Sequence, residues 1–577
     1  MSRKHALLFA PVLAALTLAA CASVPPEPTS SEAAAPQAAV TTPAPAAAQV
    51  DVARLAEHVR VLSSDEFEGR GPSTPGEEKT VAYLSQQFAA AGLQPGGPNG
   101  SWTQDVPLLR SDIVGQPNLA LTVGGQRQAL TQGEQVAIRA SMQTVNRVNI
   151  QNAPLVFLGY GVKADERNWD DFKGQNLKGK VGIVLVNDPD YETGPETKDG
   201  GDFGGKAMTY YGRWTYKYEE AARRGLAGLL VVHETAPASY GWATVKNSNT
   251  NTMFDIVRAD PAAAHPLLEG WIQRDVTVDL FRRAGLDFEA LKRQAQSRTF
   301  RPVTLPNATF TAEYAVRQDR INSKNVIARL PGRERPTETV LFGAHWDHLG
   351  VGEPDARGDR IYNGAVDNAT GTAAILELGR LFASGPKPER SLVFAAWAAE
   401  EKGLLGSEFY AANPVYPLET TVAGFNIDAL EPNGPARDLL VIGFGQSELE
   451  DRLKAVLTAA GRVITPDANP EAGYFFRSDH FPMAKRGVPM LYVDSGIDLL
   501  SGGREAGAAA GAAYRRDRYH QPADEYDAAT WNFGGIVQDV QILYGLGLEL
   551  ANGRDWPNYR QTSEFRAARD KSAAARQ

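Results

Sequence analysis

Residues 391–399 (SLVFAAWAA) form a nearly unbroken apolar run that stops at two adjacent carboxylates, Glu400 and Glu401. The run is too short for a free-standing helix and too continuous for a strand with one wet face. It reads as a strand buried on both faces of a parallel sheet, which requires helices on both sides. Open sheets of this kind place their chemistry beyond the carboxyl ends of the strands. Consecutive side chains there point in different directions, so two adjacent acids can take separate jobs. The plainer reading of Glu400-Glu401-Lys402, followed by Gly403 and Gly406, is a solvated turn.

Three other runs end in a comparable way. Residues 339–344 (TVLFGA) stop at His345, 422–427 (VAGFNI) at Asp428 and 488–493 (VPMLYV) at Asp494. Four predicted buried strands are thus each tipped by a residue able to bind metal. Between the first two, residues 369–383 carry Ile375, Leu378, Leu381 and Phe382 at helical spacing, which completes a βαβ connection. Residues 533–550 read as a last amphipathic helix, and the chain after Asn552 is expected to turn polar and fray.

The preceding half is organised differently. A basic start at residues 2–5 and an apolar run over 6–20 have the form of a secretory signal, too short to span a bilayer comfortably. It leads to Leu18-Ala19-Ala20-Cys21, which resembles the bacterial lipoprotein cleavage box. Cys21 is the only cysteine, so it is expected to be lipidated and no intrachain disulfide can form. Residues 21–50, rich in Ala, Pro, Ser and Thr, cannot bury enough surface to offset ordering entropy and read as a tether. Helices are expected over 52–62 and 80–91. Residues 120–309 read as an inserted α/β unit, with strands at 154–158 and 179–187, a helix running into a strand over 218–233, and a mostly helical return over 261–296. His58, His233 and His265 have no ligand partner at useful spacing and suit core or surface roles. The Gly/Ala-rich patch 501–513 reads as a flexible loop. A formal charge of -9, with no run of five basic residues, argues against a nucleic-acid partner.

The polar residues at the strand ends carry the chemistry. His345 and Asp347, in HWDH, suit a metal-bound histidine whose second ring N–H is held by an acid. Asp367 precedes a helix, where it is either an N-cap or a carboxylate able to bridge two cations. Asp428 is either a buried acid with a basic partner or a ligand, and His520 either a surface histidine or a ligand. Taken together, His345, Asp367, Glu401, Asp428 and His520 fit a two-metal hydrolytic site that leaves Glu400 free as base. His-Glu-x-x-His, Gly-x-Ser-x-Gly and Walker motifs are absent from the sequence.

Six ordered blocks, GAHWDHLG, NGAVDNATG, WAAEEKGLLGS, FNIDAL, FRSDHFP and YHQPADEYD, resemble the co-catalytic zinc exopeptidases. That family includes secreted bacterial aminopeptidases and, more distantly, glutamate carboxypeptidase II and the transferrin receptor. The resemblance implies an α/β fold with a mainly parallel central sheet, spread over residues 51–119 and 310–560. It implies a protease-associated domain inserted at 120–309, with 561–577 left as a polar tail. His345 and Asp428 would hold one zinc and Glu401 and His520 the other, with Asp367 bridging. Glu400 would be the general base, Asp347 the partner of His345, and Tyr519 a hydrogen-bond donor to the transition state. Arg477 is a candidate substrate ligand. The implied protein is an aminopeptidase acting on peptides and anchored through Cys21 in the bacterial envelope, at the outer membrane on its periplasmic or surface side. A carboxypeptidase or an inactive receptor on the same fold are the alternatives. The Ala/Gly-rich insertion before His520 departs from the family pattern and bears on the substrate pocket.

Overall fold

The computed structural model describes residues 49–193 and 202–576, so the expected signal segment, Cys21 and most of the tether lie outside the described residues. Two helices come first, α1 (Val52–Leu62) and α2 (Pro75–Ala90). Asp51 caps α1 by accepting the Arg54 N–H, and Leu55, Val59 and Leu62 form its buried stripe. α2 starts a turn before the expected 80–91 because Pro75 opens it, where a missing N–H costs nothing.

The next group comprises β1 (Thr103–Val123), β2 (Arg147–Phe157), β3 (Val181–Leu185), α3 (Trp214–Arg223), β4 (Gly228–His233) and β5 (Leu268–Gln273). The expected helical return over 261–296 is present as helices at Arg274–Arg283 and Phe288–Ala295, and β5 is a strand that the helical reading did not include. It pairs in parallel with β4 and antiparallel with Val136–Ile138. A strand covered on both faces has no polar alternation to reveal it.

β6 (Val303–Leu330) leads into β7 (Arg335–His345). Then come α4 (Gly371–Ser384), β8 (Arg390–Trp397), β9 (Thr421–Ile427), β10 (Asp438–Ile442), β11 (Val463–Pro466) and β12 (Met490–Asp494). The four predicted buried strands lie side by side and parallel, in the order β8-β7-β9-β12. The sheet runs on as β11-β10-β12-β9-β7-β8-β6-β2-β3-β4-β5. β6 joins the two parts: it pairs with β1 over Ala308–Val326, with β2 near its start, and with β8 over Val326–Leu330.

Alternation along the central strands builds a core on each face. On one, Phe342 stacks on Phe394 at 5.3 Å and on Phe425 at 4.8 Å, beneath Ile375, Leu378 and Phe382 of α4. On the other, Leu341, Val393 and Trp397 pack with Tyr410, Met483 and Met490.

Two expectations fail near the C-terminus. Residues 501–513 are not a flexible loop: they enter α5 (Gly503–Asp517), since alanine is the strongest helix former. Gly507 and Gly511 turn the same buried face of α5 inward, and a Cβ on Gly507 would lie 2.2 Å from the Ile497 carbonyl oxygen. After α6 (Gly534–Asn552) the chain does not fray. Tyr559 and Phe565 are buried, and the buried Arg569 donates to the carbonyls of Thr421, Val422 and Pro557. That guanidinium satisfies carbonyls at the start of β9, so a polar sequence becomes a structural one.

Candidate active site

The turn after β8 is shaped before it is charged. Ala399 adopts a left-handed φ of 54°, and the Ala398 N–H and Gly406 C=O are both held by the Asn325 side chain. A Cβ on Gly406 would lie 2.3 Å from the Ala398 carbonyl and the Asn325 oxygen, so only glycine fits this crossing. The Asp347 carboxylate accepts the N–H of Glu400 at 3.0 Å and faces that of Glu401 at 3.4 Å. Asp347 therefore holds the Glu-Glu turn. Its expected link to His345 runs through the backbone: His345 Nδ1 donates to the Asp347 carbonyl at 3.1 Å, while the carboxylate stays 3.9 Å away.

The strand ends converge. His345 Nε2 lies 3.1 Å from Asp428 Oδ1 and 3.3 Å from Asp367 Oδ1. The other oxygen of Asp367 lies 3.2 Å from His520 Nε2, which is also 3.2 Å from Glu401 Oε2. Two donor groups compact enough for a cation result, His345–Asp367–Asp428 and His348–Asp367–Glu401, and they share Asp367. The capping alternative for Asp367 goes to its neighbour: Asn368 Oδ1 accepts the N–H of Gly371, where α4 begins, and that of Ala429. Asp367 is left free to face both groups. Asp494, at the tip of the fourth strand, joins neither group.

The electrostatics suit a cation. Burial pushes the Glu400 carboxyl well above the usual range, and Glu401 and Asp428 add to this against His345. Burial alone would raise Glu401 too, but the nearby His520 and His348 hold it far below. Burial would lower His520, yet Glu401 and Asp367 bring it up to about 10. Burial likewise opposes a charge on His345, but Asp428 and Glu400 hold it well above its ordinary range. The carboxylates around the two imidazoles thus favour positive charge at this point. His348 Nδ1 sits 2.7 Å from Glu401 Oε1 without the alignment of a hydrogen bond, and neither of its ring nitrogens has another partner among the described residues. Orphaned buried nitrogens beside carboxylate oxygens, with no thiolate, form a donor set that fits a zinc-type divalent ion.

Several residues here were not singled out from sequence. His348 was legible in GAHWDHLG as a third polar residue beyond the strand end. Asp524, in PADEYD, accepts the N–H groups of Val366 and Asp367, tying the His520 loop to Asp367. Ser478 of FRSDH donates to Asp428 Oδ2 at 2.6 Å. Arg70, fully buried, donates to the carbonyls of Leu62, Trp346, Asn363 and Gly364. Burial lowers it to about 10 against the pull of Asp524 and Asp367, so it remains a cation behind the site.

Tyr519 stacks on the His520 ring at 3.9 Å and is partly exposed. A cavity of about 550 Å³ opens beside Glu400, Glu401, Tyr519 and His520, and Arg477 lines it. Its remaining wall comes from the 139–269 region, including Arg213, Trp214 and His265, and from residues 402–408 and 476–485. His265 lies between Asp255 and Glu269, as a structural histidine does.

Residues 325–544 match the model of Peptidase family M28. A probable zinc metalloprotease of Pyrenophora teres f. teres is 39% identical over 118 residues, 20% of this chain and 24% of its own length. Leupeptin-inactivating enzyme 1 of Streptomyces exfoliatus is 28% identical over 244 residues, 41% of this chain and 51% of its own. A probable lipoprotein aminopeptidase, LpqL, of Mycobacterium tuberculosis is 26% identical over 255 residues, 41% of this chain and 48% of its own. The chain thus spans between a quarter and about half of the length of these curated relatives.

Proposed function

From the match of residues 325–544 to the model of Peptidase family M28, we propose that the chain is a zinc-dependent aminopeptidase that releases N-terminal residues from peptides. The observation that carries this reading is the pair of donor groups sharing Asp367, with Glu400 beside them and outside both. His345 and Asp428 would hold one ion and Glu401 and His520 the other, with Asp367 between them and His348 at the second group. Two bound zinc ions would polarise the scissile carbonyl and make the attacking water more acidic.

The chain's own residues do the rest. Glu400 takes a proton from the attacking water and passes it to the leaving amine, a task suited to a carboxyl held above its usual range. Asp347 fixes Glu400 through its backbone N–H. The substrate α-ammonium is favoured beside Glu400 and Asp428. Tyr519, stacked on His520, would donate to the transition state. The relative named as a lipoprotein aminopeptidase supports both the activity and an envelope location with a lipid anchor at Cys21. No described helix is long and apolar enough to cross a membrane. We assign residues 120–309 as the inserted protease-associated region.

Two measurements test this. Elemental analysis of zinc-reconstituted protein should find about two ions per chain, as expected for a two-metal site. N-acetylation of a short peptide should abolish its turnover, since it removes the α-ammonium. Turnover of the acetylated peptide at the rate of the free one would refute the aminopeptidase reading.

A further inference from the structure

Arg213, the residue before α3, lines the same cavity as Glu400 and His520. It is only 7% exposed, and its Nε is buried without an acceptor. No ion pair or side-chain hydrogen bond reaches its guanidinium among the described residues. Burial, then the neighbouring Arg477 charge, pull it down to about 9, and the Tyr240 phenol is the only group opposing them. It is therefore a cation at neutral pH that no carboxylate among the described residues pairs with.

The other arginines of the wall are neutralised. Arg139 pairs with Glu269, Arg223 with Glu220, and Arg258 with Asp255 and Glu408. Arg477 shares the deficit of Arg213: its closest polar partner is the Ser239 hydroxyl at 3.5 Å. The first turn of α3, where Trp214 and Thr215 also line the cavity, has no side-chain cap. Helix N-termini attract anions, and this one adds to the two guanidinium groups. A buried guanidinium without a partner is costly unless something supplies the missing charge.

We propose that this end of the cavity binds a carboxylate carried by the substrate, with Arg213 as a specificity-determining residue and Arg477 assisting it. The guanidinium fork matches both oxygens of a carboxylate. This rests on the aminopeptidase reading and narrows it: the preferred substrate is a short peptide whose C-terminal carboxylate, or whose acidic side chain, reaches Arg213 while its N-terminus lies at Glu400. The cavity's size is within the usual range for sites that bury small ligands.

The test uses the zinc-loaded full chain and two substrate pairs, Leu-Ala against Leu-Ala amide and Leu-Glu amide against Leu-Gln amide. Each pair differs by one carboxylate, at the C-terminus in the first and on a side chain in the second. The wild type should favour the carboxylate member of one pair by about 10- to 100-fold in KM, the worth of a charged hydrogen bond. Arg213→Met should erase that preference through KM and raise the melting temperature, because it removes an uncompensated buried charge. A merely structural arginine would lower it. Arg477→Met should reduce the preference and decides the matter if Arg213→Met does not fold. Equal KM within both pairs in the wild type overturns the proposal, as does a preference that survives either folded variant intact. Failure of the aminopeptidase reading shows separately, as turnover of N-acetyl-Leu-Ala.

Discussion

Asp524 offers a sharp test of how the site is held. Its carboxylate is fully buried, and no basic side chain pairs with it among the described residues. Oδ1 accepts the Val366 N–H at 3.1 Å, Oδ2 accepts the Asp367 N–H at 3.1 Å, and the Tyr514 hydroxyl reaches Oδ2 at 3.3 Å. Asp524→Ala would strand two buried backbone N–H groups. Each unsatisfied group costs about 1–3 kcal/mol, so the variant should lose about 2–6 kcal/mol. Asp524→Asn keeps one acceptor oxygen but turns an NH₂ towards the other donor, so it should lose an intermediate amount. Urea denaturation of the metal-free protein measures this without interference from bound ions. Because Asp367 faces both donor groups, its displacement should also weaken zinc retention by about 10- to 100-fold, the usual worth of an outer hydrogen-bond partner. A metal-competition titration reads that value. Asp524→Ala with an unchanged urea midpoint and unchanged zinc affinity would refute the claim that Asp524 positions Asp367.

Glu400→Gln should keep its zinc yet lose about 10²–10⁴ in kcat, while Glu401→Ala should lose metal first; equal metal loss in both would mean the roles are misassigned. His265 gives a pH signature. Burial lowers it, but Glu269 and Asp255 raise it to about 9, above its ordinary value near 6.5. Stability from this contact should be complete below pH 6.5 and be lost as pH rises towards 9, by at most about 3 kcal/mol. His265→Gln should flatten that window, as read by urea midpoints across pH. Gly507→Val should cost more than the roughly 1 kcal/mol that replacing glycine in a helix can return, because its Cβ meets backbone at 2.2 Å. A gain in thermal stability would show that α5 can shift away from Ile497.

The parallel strands were legible because burial on both faces leaves an unmistakable apolar run, and because such strands end where chemistry is placed. His345, Asp367, Glu401, Asp428 and His520 stood at or near such ends or in punctuated loops, and the fold does bring them together. What stayed hidden is what only tertiary packing creates. Arg70 and Arg569 look like surface residues in sequence, yet each is buried to satisfy carbonyls of separate segments. Asp524 became a positioning group only through the crossing of two loops far apart in the chain. α5 was misread because alanine and glycine together suggest low complexity, whereas the alanines drive the helix and the glycines serve a close contact. Whether Asp367 caps a helix or faces the donor groups was undecidable until Asn368 was seen to do the capping.

β6 links the two sides of the cavity. Its 28 residues span roughly 90 Å of extended chain. Backbone bonds tie it to β1 along most of that length and to β8 at its end. The Arg213 wall and the Glu400 floor thus belong to one continuous hydrogen-bonded sheet. Under the proposed reading, a peptide reaching from Glu400 to Arg213 would bridge two stretches of a single sheet, not two separate bodies.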